Sequence, residues 1–234
     1  MRTMIRGGES FSKHNPAQSA GLLLLLFVGL TGLVLAGATD TLDMAVSRAV
    51  IGADPHWLTT LLGRATTAAV PLIALLVVPV GWSLLRCRAG FALLIIGSSL
   101  GSFALNLALK LALRHNPPDG GGIGRPIDWR SSPLAVAQQI SDSYSYPSGH
   151  VASAIVALGL WLLWLWPVLP RSARFTLLVV AAGYVALLAY SRIYLGHHVL
   201  TDILGGLLIS GAWLAGTLWL NQRIERTDSS RCSE

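Results

Sequence analysis

Residues 89–109 read AGFALLIIGSSLGSFALNLAL and contain no charged side chain. As a helix, a stretch of about 20 apolar residues crosses the hydrocarbon core of a bilayer. Charge-free stretches of comparable length occur at 14–39, 65–85, 151–170, 175–191 and 203–222. Charged residues make up 12% of the 234 residues, against about 25% in a soluble globular domain. These features exclude a soluble enzyme, a nucleic-acid-binding module and a disordered chain.

The predicted fold is all-α, a polytopic membrane protein with six transmembrane helices. We place these helices at 20–38, 66–85, 89–110, 151–169, 174–191 and 202–221. The membrane domain then covers residues 20–221, between an N-terminal tail at 1–19 and a C-terminal tail at 222–234. The first apolar run is longer than the roughly 7–15 residues of a signal-peptide core. We therefore expect it to be retained as a span, although Ala36-Gly37-Ala38 resembles a cleavage site.

The distribution of Lys and Arg predicts how the spans are oriented. Ten of the 17 lie in short segments on the side that carries both termini, and seven lie on the other side. Because cytoplasmic loops are enriched in Lys and Arg, both termini are expected in the cytoplasm. The net charge of +6 is then explained by orientation in the bilayer, and no nucleic-acid partner is expected.

Three connections are expected to face outward, at 39–65, 111–150 and 192–201. In the first, residues 42–64 carry apolar side chains at helical spacing. They predict one or two short interfacial helices, broken at Asp54-Pro55. Residues 114–146 are expected to form a long loop, because they contain Pro117-Pro118 and a run of glycines. A loop of this length is uncommon unless it is functional or disordered.

Ionisable residues cluster at the outer ends of the predicted spans. Lys110 ends the third span, and His150 opens the fourth. Arg192, His198 and Asp202 lie between the fifth span and the start of the sixth. A charge at the edge of the hydrocarbon core costs free energy and usually marks a functional site.

The tetrapeptide Pro147-Ser148-Gly149-His150 precedes a long apolar helix. Pro and Ser are typical of a helix start, and Gly lets the backbone approach a ligand closely. The free N–H groups and the dipole at a helix N-terminus favour an anion. The simpler interpretation is a helix cap followed by a chance histidine.

His198 and Asp202 are four residues apart and share one face of a helix. An Asp that accepts the proton of one ring nitrogen leaves the other nitrogen basic, as a nucleophile or general base requires. A metal site or a structural hydrogen bond are the alternatives, but a metal needs three or four ligands. Arg192 offers a forked donor that suits phosphate.

Together these residue types supply the groups that phosphoryl transfer on a lipid phosphate requires. That reaction needs cations on the phosphoryl oxygens, an in-line nucleophile and an acid for the leaving oxygen. On residue types alone, an ion- or proton-coupled transporter with polar residues at the span ends remains an equal alternative.

Two motifs resemble those of the type 2 phosphatidic acid phosphatase superfamily. They are Pro147-Ser148-Gly149-His150 and Ser191-Arg192-x5-His198-x3-Asp202, in that order and each at the outer end of a span. The resemblance covers residues 40–215 and implies a six-helix membrane phosphatase that works through a phosphohistidine without a metal or other cofactor. It implies that His198 is the nucleophile, Asp202 its orienting partner and His150 the acid. It also implies phosphate binding by Lys110, Ser148, Gly149 and Arg192.

The first motif of the family departs from its pattern here. The family has Lys, six residues and then Arg-Pro, whereas Lys110 is followed by Pro117-Pro118. Arg114, one helical turn after Lys110, is one possible replacement for the missing Arg. We prefer Arg125, which precedes Pro126, because the glycines before it allow the chain to fold back over the site.

The leading hypothesis is therefore a phosphatase that removes the terminal phosphate from a lipid phosphate or diphosphate. An outward-facing site in a bacterial inner membrane favours undecaprenyl diphosphate. Phosphatidate, phosphatidylglycerol phosphate and lipid A phosphates stay open as substrates. A lipid phosphotransferase with the same site, and a non-catalytic lipid-phosphate transporter or binder, are the alternatives. The sequence does not specify an oligomeric state.

Overall fold

The computed structural model describes residues 15–51, 63, 75–86, 88–116 and 130–231, with side chains to residue 223. The elements in these ranges are all helical. The helices are α1 (Pro16–Leu35), α2 (Asp40–Ile51), α3 (Val77–Leu85), α4 (Ala89–Leu113), α5 (Pro133–Ser143), α6 (Gly149–Leu165), α7 (Arg171–Tyr194) and α8 (Leu200–Arg231). A short 3₁₀ turn, Trp166–Val168, follows α6.

The all-α membrane fold predicted from the sequence is confirmed. Five of the described helices are long and apolar enough to cross a membrane, and they correspond to the first, third, fourth, fifth and sixth predicted spans. Helix α3 falls inside the second predicted span, at 66–85, whose earlier part lies outside the described residues. The last helix continues through Arg231, past the predicted end of the sixth span at residue 221.

Large apolar side chains point outward along the spanning helices. Leu25, Leu85 and Phe175 are each at least 70% exposed, as expected where lipid tails rather than water surround the protein. Polar contacts between helices lie inside instead. The hydroxyls of Ser98 on α4 and Thr217 on α8 are 3.0 Å apart, which satisfies both groups away from water.

Two of the three connections predicted to face outward differ in how well the sequence predicted their structure. Helix α2 confirms that the first connection contains a helix, and its interfacial position stays a prediction; the break at Asp54-Pro55 lies outside the described residues. The stretch 114–146, expected to be a loop, contains helix α5. Its start was readable: Ser132 is the N-cap, its Oγ accepts from the Ala135 N–H at 3.3 Å, and a Pro follows it.

Arg and Trp side chains pair at the end of the bundle opposite the polar cluster of Lys110, His150, Arg192 and Asp202. In each pair an Arg guanidinium lies over a Trp ring, an arrangement that suits the headgroup region. The pairs are Arg86–Trp82 (4.7 Å), Arg174–Trp166 (5.1 Å) and Arg223–Trp219 (4.4 Å).

The alternating direction of the helices brings the polar cluster to one end. Helices α4 and α7 finish there, with Lys110 and Arg192 in their last turns. Helices α6 and α8 start there, with His150 and Asp202 in their first turns. Residues nearly a hundred positions apart in sequence are therefore gathered at one face.

Candidate active site

The turn between α7 and α8 places His198. Gly196 has a φ of +69°, a left-handed conformation that glycine adopts without a steric penalty and that commonly ends a helix. The carbonyl of Arg192 accepts from the backbone N–H groups of His197 (3.0 Å) and His198 (3.2 Å). The chain thereby reverses direction within a few residues, and His198 lies two residues before the start of α8.

His198 and Asp202 form a buried pair, as their spacing predicted. His198 Nδ1 lies 3.2 Å from Asp202 Oδ2, and the exposed fractions of the two residues are 7% and 0%. A carboxylate at this nitrogen favours the tautomer with the proton on Nδ1. Nε2 then keeps its lone pair and is available for attack.

The environment of His198 keeps its ring neutral. Burial lowers the pKa of His198 below its ordinary value, and the hydrogen bond with Asp202 opposes that effect. The cations Lys110 and Arg192 lower the pKa further. A neutral ring retains the lone pair that a nucleophile needs.

Asp202 is held by three further contacts. Its Oδ2 also accepts from the Val199 N–H at 3.1 Å, and its Oδ1 accepts from the Ser145 hydroxyl at 3.3 Å. Its backbone carbonyl accepts from the Ser148 N–H at 2.9 Å. The first turn of α8 is therefore bonded directly to the start of α6 through the Asp202 backbone.

The start of α6 approaches α4 closely at Gly149. A Cβ at this position would lie 2.9 Å from Asn106 Oδ1 and 4.0 Å from Lys110 Cε, so a side chain there would require the Asn106 amide to move. Ser148 is the N-cap, yet its side chain makes no capping bond. Among the described residues its buried hydroxyl has no hydrogen-bond partner, which leaves it available to an anion.

Two glycines of α8 allow the segment before α6, which carries Tyr146 and Ser148, to pack closely on α8. A Cβ on Gly206 would lie 2.8 Å from the Ser148 carbonyl oxygen, and one on Gly205 would lie 2.6 Å from the Tyr146 ring. Tyr146 is fully buried, and its hydroxyl lies 2.9 Å from Thr31 Oγ1 on α1. Burial raises the pKa of Tyr146, so it remains a neutral anchor for the loop.

Lys110 is 1% exposed and points into the cluster. Its Nζ donates to the carbonyl oxygens of Ser141 (3.2 Å), Tyr144 and Ser145 (3.4 Å). A Lys ammonium has three N–H donors, so these carbonyls can occupy all of them. In this arrangement Lys110 supplies positive charge and holds the segment before α6, and contact with a phosphate requires one carbonyl to be released.

Arg192 and His150 complete the group of residues that the sequence singled out. Arg192 is 8% exposed, and its buried Nε has no hydrogen-bond partner in the described part of the chain. His150 lies close enough to Arg192, His198 and Lys110 to interact with their charges. The structure thus brings together Lys110, Ser148, Gly149, His150, Arg192, His198 and Asp202.

The two candidates for the missing Arg of the first motif have different outcomes. Arg125 lies outside the described residues, so its role stays a prediction. Arg114 is exposed at the end of α4, and its Nε donates to the Leu111 carbonyl at 3.1 Å. That contact turns the Arg114 guanidinium back onto its own helix.

No group of three His, Cys, Asp or Glu side chains among the described residues is arranged to hold a metal ion. The buried cluster instead combines cations, histidines and hydroxyls. Such a set binds and neutralises an anion, which suits a phosphate better than a cation.

Sequence reasoning missed Ser145 as part of the site. Its hydroxyl contacts Asp202, and its N–H donates to Asn116 Oδ1 at 3.2 Å. Nothing in the spacing of Ser145 and Asp202 relates them, since 57 residues separate them. The contact exists only because the loop before α6 packs on the start of α8.

Comparisons with known proteins agree with this arrangement. The PAP2 superfamily model matches residues 91–226. Phosphatidylglycerophosphatase B of Bacillus subtilis is 28% identical over 191 residues, which is 79% of this chain and 85% of that protein. The crystal structure of a transmembrane PAP2-type phosphatidylglycerolphosphate phosphatase from Bacillus subtilis has a TM-score of 0.69 at 23% identity.

That structural match covers 88% of this chain and 97% of the other, so the two share one fold. The family model extends over more than half of the chain and includes every site residue named above that the structure describes. The chain therefore belongs to the PAP2 superfamily, as a membrane-embedded lipid phosphatase.

Proposed function

We propose that the chain hydrolyses the terminal phosphate of a lipid through a covalent intermediate on His198. The observation that carries the proposal is the buried hydrogen bond of 3.2 Å between His198 Nδ1 and Asp202 Oδ2. It leaves Nε2 unprotonated among cations that attract a phosphate.

The first step is attack of His198 Nε2 on phosphorus, in line with the bond to the lipid oxygen. The N–P bond forms as the P–O bond breaks, and His150 donates a proton to the departing lipid oxygen. Asp202 stabilises the ring as it gains positive charge. The products of this step are the dephosphorylated lipid and phosphohistidine.

In the second step water attacks the phosphohistidine, and His150 takes a proton from that water. The N–P bond breaks, inorganic phosphate leaves, and both histidines return to their starting states. Arg192, the Ser148 hydroxyl and the Gly149 N–H are placed to hold the phosphoryl oxygens through both steps. Each of them donates a hydrogen bond, and Arg192 adds charge.

The substrate we would test first is phosphatidylglycerol phosphate, because that substrate is in the name of the Bacillus subtilis relative. Undecaprenyl diphosphate, favoured by the outward topology, stays a prediction. Both present a terminal phosphate on a membrane-anchored oxygen. The two-step chemistry is the same for both, and no described residue distinguishes their apolar parts.

The site is proposed to open on the extracytoplasmic face, with both termini in the cytoplasm. The distribution of Lys and Arg supports this orientation. The Arg–Trp pairs lie at the end of the bundle opposite His198 and are suited to a cytoplasmic headgroup layer. Labelling of single cysteines placed at residues 197 and 223 would test which end is outside.

The activity is tested with purified protein in detergent micelles and a panel of lipid phosphates. We expect phosphate release that persists in EDTA, is blocked by vanadate and falls by about a thousandfold or more in His198→Ala. His197→Ala is the matched control, because the His197 ring is next to His198 in sequence but is exposed and contacts the Leu195 carbonyl. Full activity of His198→Ala, or a loss of activity in EDTA that added metal restores, would contradict the mechanism.

Product analysis in the same assay separates hydrolysis from phosphoryl transfer. Mass spectrometry should find inorganic phosphate with every active substrate, even when a second lipid with a free hydroxyl is in excess. A phosphorylated second lipid in place of inorganic phosphate would assign the chain to the phosphotransferases.

A further inference from the structure

A buried acid outside the described site binds the first turn of α8. Asp43 on α2 is 3% exposed. One carboxylate oxygen accepts from the Thr201 backbone N–H at 2.9 Å, and the other accepts from the Thr201 hydroxyl at 2.6 Å. The two residues are 158 positions apart in sequence.

The contact lies directly beside the proposed catalytic pair, because Thr201 precedes Asp202. The first N–H groups of a helix have no partner within the helix, and a carboxylate there is favoured by the hydrogen bond and by the helix dipole. Asp202 satisfies the Val199 N–H, and Asp43 satisfies the Thr201 N–H. One turn of helix is thus capped by two acids from different segments.

The apolar side of α2 holds the same end of the bundle. Val46 and Val50 pack against a small cluster of buried apolar residues, and each member of it is next in sequence to a proposed site residue. The cluster consists of Val151, Ile193 and Ile203, the neighbours of His150, Arg192 and Asp202. Helix α2 therefore packs against α7 and α8, two of the helices that carry site residues.

We propose that Asp43 is a positioning residue for the His198–Asp202 pair. This inference rests on the proposed function of that pair. By fixing both polar groups of Thr201, Asp43 fixes the backbone of the first turn of α8. That turn sets the direction from which the Asp202 carboxylate meets His198 Nδ1. Without Asp43 the first turn of α8 loses two hydrogen bonds, and His198 Nε2 is no longer held in line with phosphorus.

Asp43→Ala tests the proposal in the full-length protein. Because a displacement of about 1 Å in a catalytic group can cost a hundredfold in rate, we expect kcat to fall by about ten- to a hundredfold. KM should change by less than about threefold, because Asp43 does not touch the phosphate ligands. Asp40→Ala is the matched control, since Asp40 is also an acid in the first turn of α2. Its kcat should equal that of the wild type.

A second pair of variants addresses the other partner. Thr201→Ser keeps both hydrogen bonds to Asp43, and its kcat should stay close to that of the wild type. Thr201→Val keeps the backbone bond and the side-chain volume but loses the hydroxyl, so its kcat should fall by several-fold. This pair decides the question even if Asp43→Ala does not fold.

An ¹⁵N-histidine spectrum adds a readout that simple destabilisation would not change. In the folded wild type, His198 should show the tautomer with the proton on Nδ1, assigned by comparison with His198→Gln. In folded Asp43→Ala we expect a mixture of the two tautomers, because the ring is no longer held by a fixed carboxylate. The spectrum of Asp40→Ala should match the wild type.

Wild-type kcat and an unmixed tautomer in folded Asp43→Ala would overturn the proposal, and so would equal kcat values for Thr201→Ser and Thr201→Val. Failure of the proposed function is separate, because it appears as a wild-type protein that releases no phosphate from any lipid. In that case the tautomer of His198 in Asp43→Ala still decides whether Asp43 positions the pair.

Discussion

Gly206→Ala is the substitution whose effect follows most directly from a measured distance. The new Cβ would lie 2.8 Å from the Ser148 carbonyl oxygen, whereas an ordinary van der Waals contact begins at 3.4 Å. The oxygen belongs to the backbone, so either the segment that carries Ser148 or α8 must move by about 0.6 Å, the difference between these distances. The hydrogen bond from the Ser148 N–H to the Asp202 carbonyl stretches with that motion.

The expected loss of activity follows from this displacement. Ser148, Gly149 and His150 all move relative to His198, and misplacement by about 1 Å costs roughly a hundredfold in rate. For the smaller displacement we expect kcat/KM to fall by about tenfold or more. The free energy of unfolding should change little, because two contributions oppose each other. Ala is favoured over Gly in a helix by about 1 kcal/mol, and overpacking costs about 1–3 kcal/mol.

Phosphate release at several lipid concentrations gives kcat/KM, and a thermal melt in detergent gives stability. The matched control is Gly216→Ala on the same helix, because a Cβ there meets nothing within 4 Å. Its kcat/KM should equal that of the wild type, and its melting temperature should be equal or higher. A Gly206→Ala protein with wild-type kcat/KM would refute the inference that close packing of the Ser148 segment on α8 sets the catalytic geometry.

Three further predictions concern the His198–Asp202 pair. Asp202→Asn should lower kcat by about a thousandfold with little change in KM, because an amide no longer stabilises the charged ring; steady-state kinetics check this. Burial lowers the pKa of His198 from its ordinary value of 6.5, so the ring becomes protonated at a lower pH than a free histidine. The acid limb of kcat/KM should therefore lie below that value, and a limb above it would contradict the buried environment. Ser145→Ala should lower kcat by less than about tenfold, since Asp202 keeps its bonds to His198 and Val199; the same assay checks it.

The spans and most of the site were predictable because a bilayer makes charge expensive. Lys110, His150, Arg192 and Asp202 interrupt otherwise apolar stretches, and each interruption falls at a helix end. The spacing of four between His198 and Asp202 predicted their contact, although His198 lies in the turn before α8 and only Asp202 is on the helix. These are local rules, and they require no knowledge of which helices are neighbours.

The contacts that were not predicted depend on packing between distant segments. Asp43 was not singled out from the sequence, and its pairing with Thr201 requires α2 to lie across the start of α8. One signal was available: Asp43 shares a helix face with Val46 and Val50, and an acid on an apolar face calls for a buried partner. The sequence could not identify that partner.

Helix α5 was missed for a different reason. The glycines and prolines at 117–126 favoured a loop over the whole of 114–146, and they obscured the N-cap at Ser132 and the Pro that follows. In the prediction, the composition of the preceding segment thus outweighed the local signal for a helix start. The helix matters to the site because its last turn supplies the Ser141 carbonyl that binds Lys110.

Trapping the intermediate tests the central claim, covalent catalysis by His198, most directly. A lipid labelled with ³²P in its terminal phosphate is mixed with the enzyme, and the reaction is stopped within milliseconds by denaturation at alkaline pH. We predict a protein-bound label that is stable in base and lost in acid, found on the peptide that contains His198 and absent from His198→Ala. Rapid turnover with no such label, or a label that persists in His198→Ala, would contradict the account.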